Sequence, residues 1–203
     1  MSEKSTTIFV VDDDEAIRDS LDVLLKTVGL NATTFSSGDE FLKAYDAGWE
    51  GCILLDIRMP GTSGMEVQKR LAESGCRLPI IFITGHGDIP MAVEAMHVGA
   101  FDFIQKPFRD QDLLDRIDEA LAAREEREQQ STRKKSIQKQ FQTLTPREQE
   151  VMQLVVHGAA NKVIAMDLDV SQRTVEIHRS RVMEKMQARS LAELVRMSLL
   201  IES

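Results

Sequence analysis

The chain has 203 residues, a length that suits two small domains or one large one, and its 42% hydrophobic and 29% charged residues are typical of globular proteins. It contains no apolar run near the roughly 20 residues that span a bilayer, and its N-terminus does not resemble a signal peptide, so we expect a cytoplasmic protein. The net charge of −8 is unevenly distributed: residues 1–122 carry −11, residues 123–140 carry +3, and residues 141–203 are neutral. Binding to a polyanion is therefore excluded for the first part of the chain but not for the C-terminal part.

The first 120 residues alternate short β-branched runs with helical patterns, which is typical of a parallel sheet covered by helices. Nearly continuous apolar runs predict five buried strands, at residues 8–11, 32–35, 52–55, 79–83 and 101–104. Apolar positions spaced by three and four predict the helices between them, including residues 63–74, 88–98 and 109–123. The strict alternation predicts a doubly wound α/β domain with a five-stranded parallel sheet over residues 1–122.

Residues 123–140 are highly charged, contain no Gly or Pro, and consist mainly of good helix formers. This composition predicts an extended helical linker between two domains. A solvated helix is the favoured interpretation, and a dimer seam is the alternative, because the hydrophobic content is thin.

The last 60 residues lack strand patterns and contain several helix starts. Thr145 and Glu148 form a predicted capping box with Pro at the first helical position, and a second box begins at Ser190. Asn161 and Ser171 are predicted to cap two helices between these boxes. Residues 141–203 are therefore predicted to form a small all-α domain of four helices. Its helices at 161–168 and 172–186, joined by a short turn, have the pattern of a helix-turn-helix that enters the DNA major groove.

Chemically reactive side chains follow the predicted strands of the first domain at the points where the strands end. They are Asp12 and Asp13, Asp56, Thr84 and Lys106, after the first, third, fourth and fifth strands. Ligands of an open parallel sheet bind beyond the carboxyl ends of its strands, so we expect these side chains at one edge. Clustered carboxylates repel each other unless a cation such as Mg²⁺ binds, and a bound Mg²⁺ lets a phosphoryl group approach a carboxylate. Taken singly, each of these residues could be a helix cap or a turn residue.

Over residues 7 to 122 this constellation resembles the receiver domain of bacterial two-component response regulators. The resemblance implies that a sensor histidine kinase phosphorylates Asp56. It also implies a Mg²⁺ site formed by Asp12, Asp13, Asp56 and the carbonyl of Arg58. Thr84 and Lys106 would hold the phosphoryl group, and Phe103 occupies the aromatic switch position. Phe103 lacks the hydroxyl of the Tyr found at that position in many receivers, so its switching would be the rotation of an apolar ring.

Two further resemblances are more specific. The stretch from Thr84 to Asp88, with Met91 to Ala95, resembles the FixJ-type receivers of the FixJ/NarL family. The C-terminal motifs resemble the LuxR/GerE-type helix-turn-helix over residues 143–200, namely Leu144 to Glu148, Asn161-Lys162, Ile164-Ala165, Arg173 to Glu176, His178-Arg179 and Lys185-Met186. This resemblance implies base-edge contacts from Glu176, Ile177 and Ser180. It implies phosphate or positioning contacts from Lys162, Thr174, His178, Arg179 and Lys185.

The sequence therefore predicts a response regulator that is phosphorylated on Asp56, forms a homodimer, binds a double-stranded DNA operator and regulates transcription, with activation through RNA polymerase implied by the resemblance. No enzymatic activity is expected beyond slow self-dephosphorylation. One alternative is a phosphatase with Asp56 as nucleophile, but Arg58 stands where such enzymes need a second acid. The other is a DNA binder independent of phosphorylation, against which the complete set of acceptor-site residues argues.

Overall fold

A computed structural model describes residues 6–85 and 89–202. The chain divides into two compact units, residues 1–126 and 127–203. Within the described ranges, no helix combines the length and the apolar character needed to cross a membrane.

The first unit is built on a sheet of five parallel strands in the order β2-β1-β3-β4-β5. The strands are β1 (Thr7–Val11), β2 (Asn31–Phe35), β3 (Gly51–Leu55), β4 (Ile80–Thr84) and β5 (Asp102–Gln105). Every residue of β3 and β4 is buried, because helices cover both faces of the sheet. In the centre of the sheet, Val11 pairs with Phe35 on one side and with Leu55 on the other.

Five helices surround this sheet: α1 (Glu15–Thr27), α2 (Gly38–Ala44), α3 (Gly64–Glu73), α4 (Ile89–His97) and α5 (Asp110–Gln142). Leu25 of α1 and Ile117 of α5 pack against one face of the sheet. Phe41 of α2, Val67 of α3 and Ala95 of α4 pack against the other face. The predicted doubly wound α/β fold is confirmed, with each strand within one residue of its predicted bounds.

The second unit contains the C-terminal part of α5 and four further helices: α6 (Pro146–Val156), α7 (Asn161–Asp167), α8 (Gln172–Lys185) and α9 (Leu191–Glu202). Its core combines residues from all of these helices, including Ile137, Val151, Ile164, Val182 and Leu194. The four predicted helices are confirmed, and so is the capping box of Thr145 and Glu148.

Two features of the α-helical part differ from the sequence-based expectation. Residues 123–140 are helical as predicted, but they lie within the single helix α5, and Ile137 is a core residue of the second unit rather than a solvated linker position. The predicted cap Asn161 is wrong: Ala160 occupies the N-cap position and makes no side-chain capping bond. Asn161 is the first residue of α7, and its Oδ1 accepts a hydrogen bond of 2.9 Å from Nη1 of Arg179.

Candidate functional site

The carboxyl ends of the strands bring Asp12, Asp56, Thr84 and Lys106 to one edge of the sheet. Asp56 directly follows β3, and its backbone N–H donates to the carbonyl of Val11 at 2.8 Å. Lys106 directly follows β5, and its backbone N–H donates to the carbonyl of Thr84 at 2.9 Å. Main-chain bonds between neighbouring strands therefore fix the positions from which these side chains reach the edge.

Lys106 connects the two buried carboxylates of this edge. Its Nζ lies 2.6 Å from Oδ2 of Asp12 and 3.4 Å from Oδ1 of Asp56. Asp12 is 3% exposed and Asp56 is 7% exposed, so both carboxylates are largely shielded from water. One ammonium between two carboxylates leaves this cluster with a net charge of −1 when all three groups are ionised.

The surroundings of Asp56 and Lys106 raise the pKa of both side chains. Burial raises the pKa of the Asp56 carboxyl, the Asp12 charge adds to this effect, and the hydrogen bond and charge of Lys106 only partly offset it. Burial opposes the charged form of Lys106, but the hydrogen bonds and charges of Asp12 and Asp56 outweigh it and hold the Lys106 pKa above its ordinary value. Lys106 is therefore a fixed cation, while ionised Asp56 is a destabilised carboxylate that a further positive charge would stabilise.

The two remaining predicted metal ligands lie beside this cluster. Asp13 is exposed, and the backbone N–H of Arg58 donates to Oδ2 of Asp56 at 3.0 Å. In the described residues, no group of three or more His, Cys, Asp and Glu side chains is close enough to hold a metal ion. Mg²⁺ in proteins commonly uses one or two carboxylates and completes its shell with water. The buried oxygens of Asp12 and Asp56, with their excess negative charge, are a donor set that fits such an ion.

The loop that follows Asp56 is shaped by a glycine. A Cβ atom on Gly64 would lie 2.2 Å from the carbonyl oxygen of Asp56, so only glycine allows this approach of α3 to the end of β3. Phe103, the predicted switch residue, is half-buried on β5 and packs against the core beneath α2, α3 and α4. His86 and the rest of the predicted motif at residues 86–88 lie outside the described residues.

Helices α7 and α8 form the predicted helix-turn-helix. Val175 and Val182 bury one side of α8 in the core of the second unit. Glu176, Ile177 and Ser180, the predicted base-edge residues, are all exposed. Ile177 is 45% exposed, so its side chain is available for contact with a partner.

The predicted phosphate and positioning residues have more varied surroundings. Lys162 is exposed on α7, and the hydroxyl of Thr174 lies 2.8 Å from that of Ser171, the N-cap of α8. The Nδ1 atom of His178 is buried and has no hydrogen-bond partner in the described part of the chain. Arg179 donates to Asn161, as described above.

Lys185 is held by an ion pair that the sequence pattern did not predict. Its Nζ lies 2.6 Å from Oε2 of Glu148 and donates to the carbonyl of Thr143 at 3.2 Å. The Glu148 side chain is 2% exposed; burial opposes its ionised form, but the hydrogen bonds from Lys185 and Thr145 outweigh burial and hold its pKa below the ordinary value. The sequence signal for Glu148 was its place in a capping box, which predicts a contact within its own helix and none with α8.

Comparisons with known proteins agree with this fold. Residues 8–118 match the response regulator receiver domain family, and residues 142–198 match the luxR family of bacterial regulatory proteins. The response regulator protein TodT of Pseudomonas putida is 42% identical over 198 residues, which are 98% of this chain and 87% of TodT. The transcriptional regulatory protein FixJ of Azorhizobium caulinodans is 45% identical over 197 residues, which are 97% of this chain and 93% of FixJ.

A solved structure of the response regulator StyR is 44% identical, with a TM-score of 0.83, and the match covers 96% of this chain and 98% of that chain. Fold, strand-end site and helix-turn-helix together define a receiver domain combined with a DNA-binding domain. The chain belongs to the response regulators with a LuxR-type DNA-binding domain.

Proposed function

We propose that the protein is a cytoplasmic transcription regulator that a sensor histidine kinase phosphorylates on Asp56. The observation that carries this proposal is the buried Asp56 carboxylate at the end of β3, with Lys106 Nζ at 3.4 Å. A carboxylate can act as a nucleophile toward phosphorus. An oxygen of Asp56 forms the new bond to phosphorus as the bond between phosphorus and the kinase histidine breaks, and the electron pair of that bond returns to the histidine nitrogen.

The other residues of the edge then hold the transferred group. Lys106 pairs with one phosphoryl oxygen, and the Thr84 hydroxyl donates to another. Asp12, Asp13, Asp56 and the carbonyl of Arg58 are the residues that would hold Mg²⁺. When bound, Mg²⁺ supplies positive charge that lets the carboxylate and the phosphoryl oxygens approach each other. This assignment is supported by the net negative charge of the buried cluster.

Phosphorylation then acts on DNA binding through dimerisation. Rotation of Phe103 follows the movement of Thr84 toward the phosphoryl group, and the face around residues 88–115 changes shape and pairs with a second receiver. The dimer places two helix-turn-helix units on adjacent half-sites of an operator and activates transcription with RNA polymerase. The protein accepts phosphate stoichiometrically and is not an enzyme beyond slow self-dephosphorylation.

On the DNA, Glu176, Ile177 and Ser180 contact base edges, and the exposure of all three supports this assignment. Lys162, Thr174, His178, Arg179 and Lys185 are the proposed phosphate and positioning contacts. Arg179 and Lys185 already donate to Asn161 and Glu148, so we propose that they also position α8 within the domain.

The acceptor assignment is tested by labelling with acetyl phosphate, resolved on a phosphate-affinity gel. Asp56→Asn should abolish labelling, and removal of Mg²⁺ with a chelator should abolish labelling of the unmodified chain. Asp19→Asn is the matched control, because Asp19 is an exposed carboxylate on α1, and it should label normally. A labelled Asp56→Asn variant would place the acceptor elsewhere.

A further inference from the structure

The C-terminal part of α5 carries an unusual concentration of positive charge. Residues 129–146 contain no Asp or Glu, and within them lie four cations that we call the α5 cation cluster: Arg133, Lys134, Lys135 and Lys139. Three of the four are exposed, and Lys134 is half-buried. None forms an ion pair with any residue in the described ranges 6–85 and 89–202, whereas several surface cations on other helices do, such as Lys26 with Asp22 at 2.6 Å.

This cluster belongs to the same folded unit as the helix-turn-helix. Ile137, in the middle of the cluster, is 3% exposed and lies in the core of the second unit, and Phe141 packs against that core one turn later. The carbonyl of Thr143, which follows α5, accepts a hydrogen bond from Lys185 in the last turn of α8. Lys139 precedes Thr143 by four residues, about 6 Å along a helix axis, so the cluster leads directly to the end of α8.

The helix-turn-helix itself offers little uncompensated positive charge. Residues 143–203 are neutral overall, and four of their cations have partners within the unit. Lys185 pairs with Glu148 and Arg147 with Glu150, Arg173 lies 3.9 Å from Glu176, and Arg179 donates to Asn161. DNA affinity depends strongly on how many phosphates a protein neutralises. Positive charge from outside residues 143–203 would therefore add to the phosphate contacts of the helix-turn-helix.

The whole second unit, residues 127–203, has that charge. It contains 13 Lys and Arg against 9 Asp and Glu, a net charge of +4, and the excess lies in the part of α5 that holds the cluster. The first unit has 12 Lys and Arg against 24 Asp and Glu. Positive charge is thus concentrated on the helix that packs with the DNA-binding domain.

We propose that the α5 cation cluster is a second DNA-binding surface, which contacts backbone phosphates outside the helix-turn-helix. The inference rests on the DNA-binding function of the C-terminal domain and adds a site to it. Contacts with phosphates carry no base information, so the cluster raises affinity for all sequences alike and leaves the choice of operator to α8. It gives a domain with a neutral helix-turn-helix region the salt-dependent affinity that DNA binding requires.

The test is the salt dependence of binding to a fluorescein-labelled DNA duplex of mixed sequence, measured by anisotropy with the full chain treated with acetyl phosphate. The cluster variant carries Arg133→Gln, Lys135→Gln and Lys139→Gln. Across roughly 50 to 200 mM salt, the slope of log affinity against log salt should become shallower by about 0.9 for each phosphate that the variant no longer neutralises. The control variant removes three exposed cations of the first unit and so has the same net charge: Lys43→Gln, Lys69→Gln and Arg77→Gln. Its slope should equal that of the unmodified chain.

A third variant keeps the charges and changes the side chains: Arg133→Lys, Lys135→Arg and Lys139→Arg. It should retain the original slope, which separates loss of charge from damage to α5, and all three variants should unfold at the temperature of the unmodified chain. An unchanged slope in the cluster variant, or an equal change in the first-unit control, overturns the proposal. An unmodified chain that binds no duplex at any salt concentration would instead overturn the DNA-binding function itself, so the two failures are distinguishable.

Discussion

Gly64 is the residue whose replacement should disturb the proposed acceptor site most directly through the backbone. A Cβ atom there would meet the carbonyl oxygen of Asp56 at 2.2 Å, and backbone atoms cannot yield as the end of a side chain can. Gly64→Ala should therefore destabilise the first unit by about 1–3 kcal/mol and slow the labelling of Asp56. Denaturant unfolding followed by the fluorescence of Trp49, the single tryptophan of the chain, measures the first unit alone.

Gly85 provides the matched control for Gly64. It lies at the same edge of the sheet, and a Cβ atom on it would meet no atom of the described residues within 4 Å. Gly85→Ala should leave stability unchanged or raise it slightly, by up to about 1 kcal/mol, since alanine restricts the unfolded chain. Equal free energies of unfolding for the two variants would show that the close approach of Gly64 to Asp56 does not affect stability.

The gathering of the site residues at one edge of the sheet could be predicted because topology alone determines where strand ends meet. Asp12, Asp56, Thr84 and Lys106 each follow or end an apolar run, and parallel strands bring such positions together without any knowledge of side-chain packing. The contacts of Asn161 with Arg179 and of Glu148 with Lys185 could not be predicted in this way. They join different helices, and the sequence pattern of a helix determines its buried face but not its rotation against a neighbour.

At the scale of elements, the ion pair of Glu148 and Lys185 connects the start of α6 with the end of α8. The folded-state pKa of Glu148 lies below its ordinary value, because the bonds from Lys185 and Thr145 outweigh burial. The pair's contribution to stability is therefore complete above the ordinary glutamate pKa and is lost as the pH falls through the lowered folded-state value. Glu148→Gln should destabilise the second unit by about 1–3 kcal/mol at neutral pH and flatten its stability between neutral and acidic pH.

Circular dichroism of thermal unfolding over this pH range measures the effect, as the difference between the variant and the unmodified chain. Glu150→Gln is the control, because Glu150 is an exposed carboxylate on the same helix that pairs with Arg147 at the surface. It should change stability by less than about 0.5 kcal/mol and leave the pH dependence in place. Parallel pH profiles of Glu148→Gln and the unmodified chain would contradict the assignment.

A second link between elements is the buried amide of Gln68, which joins α3 to α4. Its Nε2 donates to the carbonyl of Ala95 at 2.9 Å, while its Oε1 is buried and has no hydrogen-bond partner in the described part of the chain. The Ala95 carbonyl also accepts from the N–H of Ala100. Gln68→Met removes the unsatisfied oxygen and leaves the carbonyl with a donor, so the change should stay within about 1 kcal/mol.

The matched change Gln68→Ala empties the same space and should cost about 2–4 kcal/mol, mainly through the cavity. Denaturant unfolding followed by Trp49 fluorescence compares the two variants. Equal destabilisation by Gln68→Met and Gln68→Ala would contradict this expectation. It would mean that losing the hydrogen bond to Ala95 destabilises the unit more than retained packing and removal of the unsatisfied oxygen stabilise it.

At the scale of the whole molecule, the sequence predicted two functional halves from charge and periodicity, and both folds are confirmed. The role of Ile137 was missed because the predicted linker ended at residue 140, which separated Ile137 from Phe141 and Leu144, the apolar residues four and seven positions further on. Only the packing of Ile137 with residues such as Leu144 and Val151 reveals that the end of α5 belongs to the core of the second unit. The basic segment at the end of α5 therefore belongs to the same folded unit as the helix-turn-helix.

This division predicts which unit responds when Ile137 is truncated. Ile137→Ala removes a side chain that is 3% exposed in the core of the second unit, and it should destabilise that unit by about 2–4 kcal/mol. Trp49 fluorescence follows the first unit and should report unchanged unfolding, whereas the helical circular dichroism signal should show part of the chain unfolding at lower temperature. The exposed neighbour Ser136 provides the control: Ser136→Ala should leave both transitions in place, because alanine is a better helix former and buries nothing. A shift of the Trp49 transition in Ile137→Ala would instead show that the end of α5 stabilises the first unit. The positive charge at the end of α5 would then belong to the first unit and not to the DNA-binding unit.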